Sequence, residues 1–195
     1  VAAQFADKQT YDSGHLLLPK SVVRSLSLLL IVLSVGVVEI KTGFIPLKFS
    51  ERSKTVQRYG EGDFTLDMYG RSILMTEFQD IRQEIINSGQ MKDTDGIIAL
   101  KWFPLAHFDY YIARPLGIKM FGFRDPSEIH KYSWINKYRG DLQLGEDYWF
   151  ITESSDYYEP DKYLDRYFED IIPVDTINIE RCGKTAKYAF VYMLK

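Results

Sequence analysis

The chain changes its hydrophobic rhythm once, early and abruptly. Residues 21–40 read SVVRSLSLLLIVLSVGVVEI, with an apolar heart over 26–38. Twenty helical residues at about 1.5 Å each cover roughly the 30 Å hydrocarbon layer of a bilayer. The pattern therefore predicts a membrane-spanning helix over 21–41. Ser27, Ser34 and Gly36 are tolerated in such a helix, and Arg24 lies close enough to one end to snorkel toward headgroups. Two other readings compete: a buried core helix of a soluble protein, and a processed targeting segment, against which stands the lack of an A-x-A-like site after the run. Lys20 and Arg24 on one side, against Glu39 and Lys41 cancelling on the other, favour an outward-facing C-terminal portion. Residues 1–20 read as a loop or the start of a fragment and hold no catalytic motif.

Beyond the run, Gly43 and Pro46 mark an exit from the helix, and residues 42–62 form a polar linker of mixed charge. The rest, 63–195, alternates between two periods. Ile73, Leu74, Phe78, Ile81, Ile85 and Ile86 recur at helical spacing, and Asn87-Ser88-Gly89 closes that helix. Next come a buried strand over 96–102, a helix over 104–113, a strand over 118–123, a helix over 127–138, a strand over 147–152 and a helix over 160–169. The chain closes with strands over 176–180 and 186–194 joined as a hairpin around Gly183-Lys184. Strands and helices alternating at this spacing predict an α/β extramembrane domain, a mixed sheet flanked by helices in Rossmann-like layering.

Composition narrows the function classes. The 195 residues carry 27 acidic and 24 basic side chains, net −3, which argues against a nucleic-acid-coating surface. One cysteine, Cys182, excludes an internal disulfide framework and any cysteine-based zinc cluster; three histidines, His15, His107 and His130, argue against a histidine-rich metal centre. Of 14 tyrosines, 11 come after Trp102, so aromatic side chains concentrate in the second half. Residues 141–180 hold 12 acidic and two basic residues. They read as a solvated acidic face, and Asp156, Glu159 and Asp161 lack the glycine-containing loop of an EF-hand.

The densest constellation lies over 102–115. On a helix His107 and Tyr111 share a face, as do Tyr110 and Arg114, whereas His107 and Asp109, two apart, point different ways and form no proton-transfer dyad. His130 reads as a hydrogen-bonded helix residue among Ile129, Tyr132 and Ile135. There is no G-x-G-x-x-G, Walker loop, G-x-S-x-G elbow or H-E-x-x-H helix. Ser154-Ser155 beside Asp156 is too common a grouping to name a nucleophile. No catalytic residue, metal ligand or cofactor is assigned.

The order of an apolar span, then Asp63-Phe64-Thr65-Leu66-Asp67-Met68-Tyr69-Gly70, then a strand after Asp95-Gly96 leading to His107-Phe108-Asp109-Tyr110-Tyr111, resembles the C-terminal part of GT-C type membrane glycosyltransferases. The relevant branches are the protein O-mannosyltransferases and the lipid A aminoarabinose transferases. Arg71 stands where an aromatic residue comes after the D-x-T-x-D-x-Y-G segment in that family. The resemblance implies a domain on the periplasmic side of a bacterial inner membrane, attached to a multi-span membrane body that transfers a sugar from a polyprenyl-phosphate donor to an envelope acceptor. It implies a noncatalytic role here, because the family's acidic residue lies in an earlier loop, so no carboxylate is carried onto Asp63, Asp67 or Asp109. The expected partners are the upstream membrane body, the lipid bilayer, and a glycan or lipid-linked sugar, with no nucleic acid. Tyr110, Tyr111, Arg114, His130 and Trp134 are the expected substrate-facing or interface residues, since aromatic faces stack on sugars and arginine pairs with anions. A membrane-anchored glycan-binding or partner-binding module and a free-standing soluble α/β enzyme are the competing readings.

Overall fold

The computed structural model describes residues 19–45 and 55–195. The expected loop at the start of the chain, His15 and the exit residue Pro46 lie outside the described residues, as does much of the 42–62 linker. The chain divides into two compact units, Val1–Val38 and Glu39–Lys195.

In the first unit, helix α1 (Lys20–Thr42) begins, and its side chains from Lys20 to Val38 are all exposed. Its Leu, Val and Ile side chains are exposed on every side, unlike the one-sided stripe of an amphipathic surface helix. Helix α1 is long and apolar enough to cross a membrane and lies near the start of the chain, as in a membrane-associated protein. The last turn belongs to the second unit. There Gly43, at φ +59°, donates its N–H to the Glu39 carbonyl at 2.7 Å, and the buried Glu39 carboxylate accepts from Ile45 N–H at 2.9 Å. A left-handed glycine ending a helix is the arrangement that needs no Cβ.

The second unit is the α/β domain. In chain order its elements are α2 (Arg71–Asn87), β1 (Gly96–Ala99), α3 (Trp102–Phe108), a π turn (Asp109–Ala113), α4 (Arg114–Leu116), β2 (Met120–Gly122), α5 (Pro126–Ile129), α6 (Tyr132–Arg139), β3 (Tyr148–Glu153), α7 (Pro160–Leu164), β4 (Ile171–Arg181) and β5 (Lys184–Leu194). The sheet is open and mixed, in the order β2-β1-β3-β5-β4. β1, β2 and β3 run parallel, and β5 is antiparallel to both β3 and β4. Because successive strand side chains point to opposite faces, the two faces separate cleanly. Ile97, Met120, Trp149, Ile151, Val191 and Met193 pack with Leu74 and Phe78 of α2 and Leu105 and Phe108 of α3. Ile98, Phe121, Tyr148, Phe150 and Leu194 pack with Leu164 of α7 on the other face. Both sides are covered, which is why β1 and β3 are buried along their whole length, with apolar side chains on both faces from Tyr148 to Ile151, rather than alternating. Trp149, fully buried, meets Phe78 edge-on at 5.4 Å.

The expected strand over 96–102 stops at Ala99, with Trp102 opening α3, and the expected helix over 160–169 stops at Leu164; three further elements differ in form. The helix over 127–138 is two helices broken at His130, whose φ of +50° and ψ of −122° lie outside helical space. His130 is thus a hinge between α5 and α6 and not a residue within a helix. The helix over 104–113 widens into the π turn before Arg114-Pro115. Proline brings no N–H and crowds the carbonyl four residues back, and a wider turn relieves that conflict. The strand over 176–180 extends to Ile171–Arg181, since its partner β5 offers a full ladder. Cys182 and Gly183 turn the hairpin with φ of +52° and +74°, the conformation that matches strand twist in a two-residue loop.

Helix α6 closes the free edge of the sheet at β2. The Asn136 side chain accepts Gly122 N–H at 3.1 Å and donates to the Gly122 carbonyl at 2.7 Å, and Arg139 donates to the Met120 carbonyl at 2.8 Å. One amide side chain thereby does for the edge what another strand would do.

Candidate functional site

The parallel strands β1, β2 and β3 end on one side of the sheet, and the loop after each of them carries a charged residue. Lys101 comes after β1, Arg124 after β2 and Asp156 after β3. In open α/β sheets this carboxyl-end crevice is where ligands are held. Here the cations lie over tyrosines: Lys101 Nζ is 4.9 Å from the Tyr158 ring centre and Arg124 Cζ is 4.9 Å from that of Tyr163. The two rings are 5.8 Å apart, so cation and ring alternate along the crevice. Lys101 also faces Asp156 at 3.6 Å. The Tyr158 hydroxyl, with help from Asp156, holds the Lys101 ammonium above its ordinary range against the opposing effect of burial, and burial pushes the Tyr158 phenol up. Both groups therefore keep their neutral-pH forms, a charged ammonium and an un-ionised phenol.

Beside this ladder opens a cleft of about 710 Å³, walled by Arg124 and Phe123 after β2, by Trp134 and Lys137 of α6, and by Tyr163 and Tyr167. Its size is that of a small-ligand site. Trp134 is 68% exposed and stacks nearly parallel on Tyr138, itself 86% exposed, at 6.3 Å. The four-residue spacing on α6 puts the two rings on one face, and both are largely open to solvent among the described residues.

The five expected interface residues do not meet in one place. Trp134 is on the 710 Å³ cleft. Tyr110 and Arg114 line a second cavity, and together with Tyr111 and Pro115 they also line a shallow one. His130 meets the Trp102 ring at 5.4 Å. His107 stacks on Tyr111 at 6.2 Å, while Asp109 accepts from the Tyr132 hydroxyl at 2.7 Å and from Arg139 at 2.9 Å. The pair is separated, as two-residue spacing requires. Burial, then the Arg71 charge, pulls the His107 imidazole below its ordinary value, so it is neutral at physiological pH.

The polar cluster of greatest burial carries no local signature in the sequence. Arg71, Glu153 and Lys187 are all buried, Lys187 with 0% exposure. Arg71 Nη1 lies 2.5 Å and Lys187 Nζ 2.8 Å from the Glu153 carboxylate. Arg71 also donates to the Asp67 carbonyl and Lys187 to the Leu66 carbonyl. Burial alone would raise the Glu153 carboxyl; Lys187 and Arg71 outweigh it and hold the group below its ordinary range, while burial pushes the Lys187 ammonium down. Glu153 therefore corrects the reading of 141–180 as wholly solvated. The one available signal is the parity of β5, where Lys187 falls in step with the inward Ala189, Val191 and Met193.

The D-x-T-x-D-x-Y-G segment is part of the same clasp. Asp63 caps its own turn, accepting from Thr65 N–H at 2.9 Å and Thr65 Oγ1 at 2.6 Å, and pairs with Arg181 at 3.3 Å. The Tyr69 hydroxyl donates to the Glu180 carbonyl at 2.8 Å. Gly70, at φ +80°, lies so close to Ile179 that a Cβ would stand 2.4 Å from its Cγ2. Each of these residues fastens the segment to the β4–β5 hairpin. Ser154 is buried, donating to the Tyr59 carbonyl at 2.6 Å and accepting from Tyr188 N–H at 2.8 Å, so its hydroxyl serves the fold. Cys182 is exposed on the hairpin turn. Among the described residues no group of three His, Cys, Asp or Glu side chains comes together as a metal site.

No protein-family model, no curated protein and no solved structure matches the chain.

Proposed function

We propose that this protein is a membrane-anchored, noncatalytic module that binds a glycan in the cleft at the carboxyl end of β2. The observation that carries the reading is the exposed Trp134 indole, stacked on Tyr138 at the mouth of a 710 Å³ cleft that also presents Tyr163, Tyr167, Arg124 and Lys137. Flat aromatic faces take the apolar faces of sugar rings, and arginine and lysine reach hydroxyl or anionic substituents. The titratable groups beside the cleft, Lys101 and Tyr158, are held in forms that donate hydrogen bonds and do not abstract protons. Helix α1 supplies the anchor.

Titration of the full chain in nanodiscs with a panel of oligosaccharides, read by tryptophan fluorescence, tests this. Saturable binding is expected, and Trp134→Ala weakens it by about 1 kcal/mol, roughly fivefold. No binding across the panel, or binding unchanged in that variant, rejects the cleft as a glycan site.

A second reading places the module at the C-terminal end of a GT-C type glycosyltransferase that uses a polyprenyl-phosphate sugar donor, on the periplasmic side of a bacterial inner membrane. It is favoured by the order of an apolar helix and then the Asp63 to Gly70 clasp. The mass of the native polypeptide in source membranes separates the two: 22.8 kDa fits a free-standing module, and a much larger membrane protein fits the transferase tail.

A further inference from the structure

On the other side of α6 lies a cavity of about 540 Å³ bounded by Asp109 and Tyr110 of the π turn, Arg114, Lys119 before β2, and Tyr132 and Arg139 of α6. Its charges are three cations against one carboxylate, a local +2 in a chain whose net charge is −3. The carboxylate is already engaged. Asp109 accepts from Tyr132 and from Arg139, and Arg139 is fixed further by the Met120 carbonyl. Arg114 and Lys119 are exposed, and among the described residues neither has an ion-pair partner. Two uncommitted cations thus share a concave wall with a carboxylate whose charge is neutralised beside it. Tyr110 lines the same cavity, is 61% exposed and meets Tyr111 edge-on at 4.9 Å.

We infer that this cavity is a binding site for an anionic group, phosphate or carboxylate, carried on a ring that lies against Tyr110. Arg114 offers a planar fork that takes two oxygens at once, and Lys119 adds a point charge. Asp109 is already engaged by Arg139 and Tyr132, so it does not draw on Arg114 or Lys119. The site does not depend on the glycan reading, because Trp134 and Lys137 line the other cleft and no residue that lines one lines the other.

The test uses the full chain in nanodiscs of neutral lipid, titrated with inorganic phosphate, phenyl phosphate and phenol, and read by chemical shifts. Phenyl phosphate is expected to bind saturably and more tightly than inorganic phosphate, with phenol not binding. Binding weakens as salt rises. Arg114→Gln with Lys119→Gln lowers the affinity at least tenfold, as loss of charge-assisted hydrogen bonds implies, and Trp134→Ala leaves it unchanged. Both substituted side chains are exposed, and circular dichroism confirms that the variant keeps its fold. Absence of saturable phenyl phosphate binding, or binding undiminished in the double variant, overturns the site. Inorganic phosphate binding as tightly as phenyl phosphate overturns the role given to Tyr110. Loss of phenyl phosphate binding in Trp134→Ala assigns the anion to the other cleft and overturns the inference, whether or not the oligosaccharides bind.

Discussion

Glu153 sits between two cations where water does not reach, and the arrangement holds only while all three partners are present. A buried ion pair gains little over well-packed apolar side chains, but removing one member leaves the others as uncompensated buried charges. Glu153→Gln is therefore expected to destabilise the domain by about 3–5 kcal/mol, read as a shift of the urea midpoint at neutral pH. The pH dependence has a definite sign. Because Lys187 and Arg71 hold the folded carboxyl below its ordinary value of 4.5, the unfolded chain takes up the proton first as the pH drops. The stabilisation is fully present above that value and is lost as the pH falls through the folded pKa. The gap between wild type and Glu153→Gln should close over the same acidic range; a gap independent of pH would show that the carboxylate charge is not what stabilises the cluster. Little of this was legible from sequence. Arg71 reads as a departure from a family pattern and Glu153 as one acid among 12 over 141–180, because the contact joins residues 82 apart in the chain and only the pairing of strands brings them together.

Elements were legible where a single face decides them. The period of α2, the apolar runs of β1 and β3 and the turn at Gly183 all arise from local pattern, and all form. Boundaries failed where a neighbour in space decides them. β4 runs to Ile171 because β5 pairs with it, and the expected helix over 127–138 breaks because His130 turns the chain so that Ile129 packs into the core while α6 lies on the edge of β2. The candidate cleft was half legible: Trp134 reads as an interface residue, but its partners Tyr163, Tyr167 and Arg124 come from segments that sequence spacing does not join. The edge itself gives a prediction at this scale. Asn136→Ala leaves both polar groups of Gly122 without partners, at a cost of about 1–3 kcal/mol for buried unsatisfied groups. Amide hydrogen exchange should show Gly122 N–H losing protection while the central β1–β3 ladder keeps it. Uniform loss across the sheet would mean instead that α6 supports the whole fold.

At the scale of the whole molecule, α1 shows apolar side chains on all sides from Leu26 to Val38, with two serines and one glycine as the only interruptions. In water such a helix by itself exposes more contiguous apolar surface than a soluble monomer carries, so it calls for an apolar environment. A bilayer satisfies it: the backbone bonds are internal, the length matches the hydrocarbon thickness, and Lys20, Arg24 and Lys41 lie toward the ends, where charge reaches water. The chain is accordingly expected to stay with membranes through an alkaline carbonate wash and to leave them only in detergent. Placing lysines at Ile31 and Ser34 tests the cause, since each central lysine costs about 2.5–3.5 kcal/mol of insertion. The double variant should wash off in carbonate while the α/β domain, whose core contains neither residue, keeps its near-ultraviolet circular dichroism. Retention of the double variant on membranes would place the anchoring surface in the α/β domain, and release of the unmodified chain by carbonate would mean that α1 is covered by a protein partner rather than by lipid.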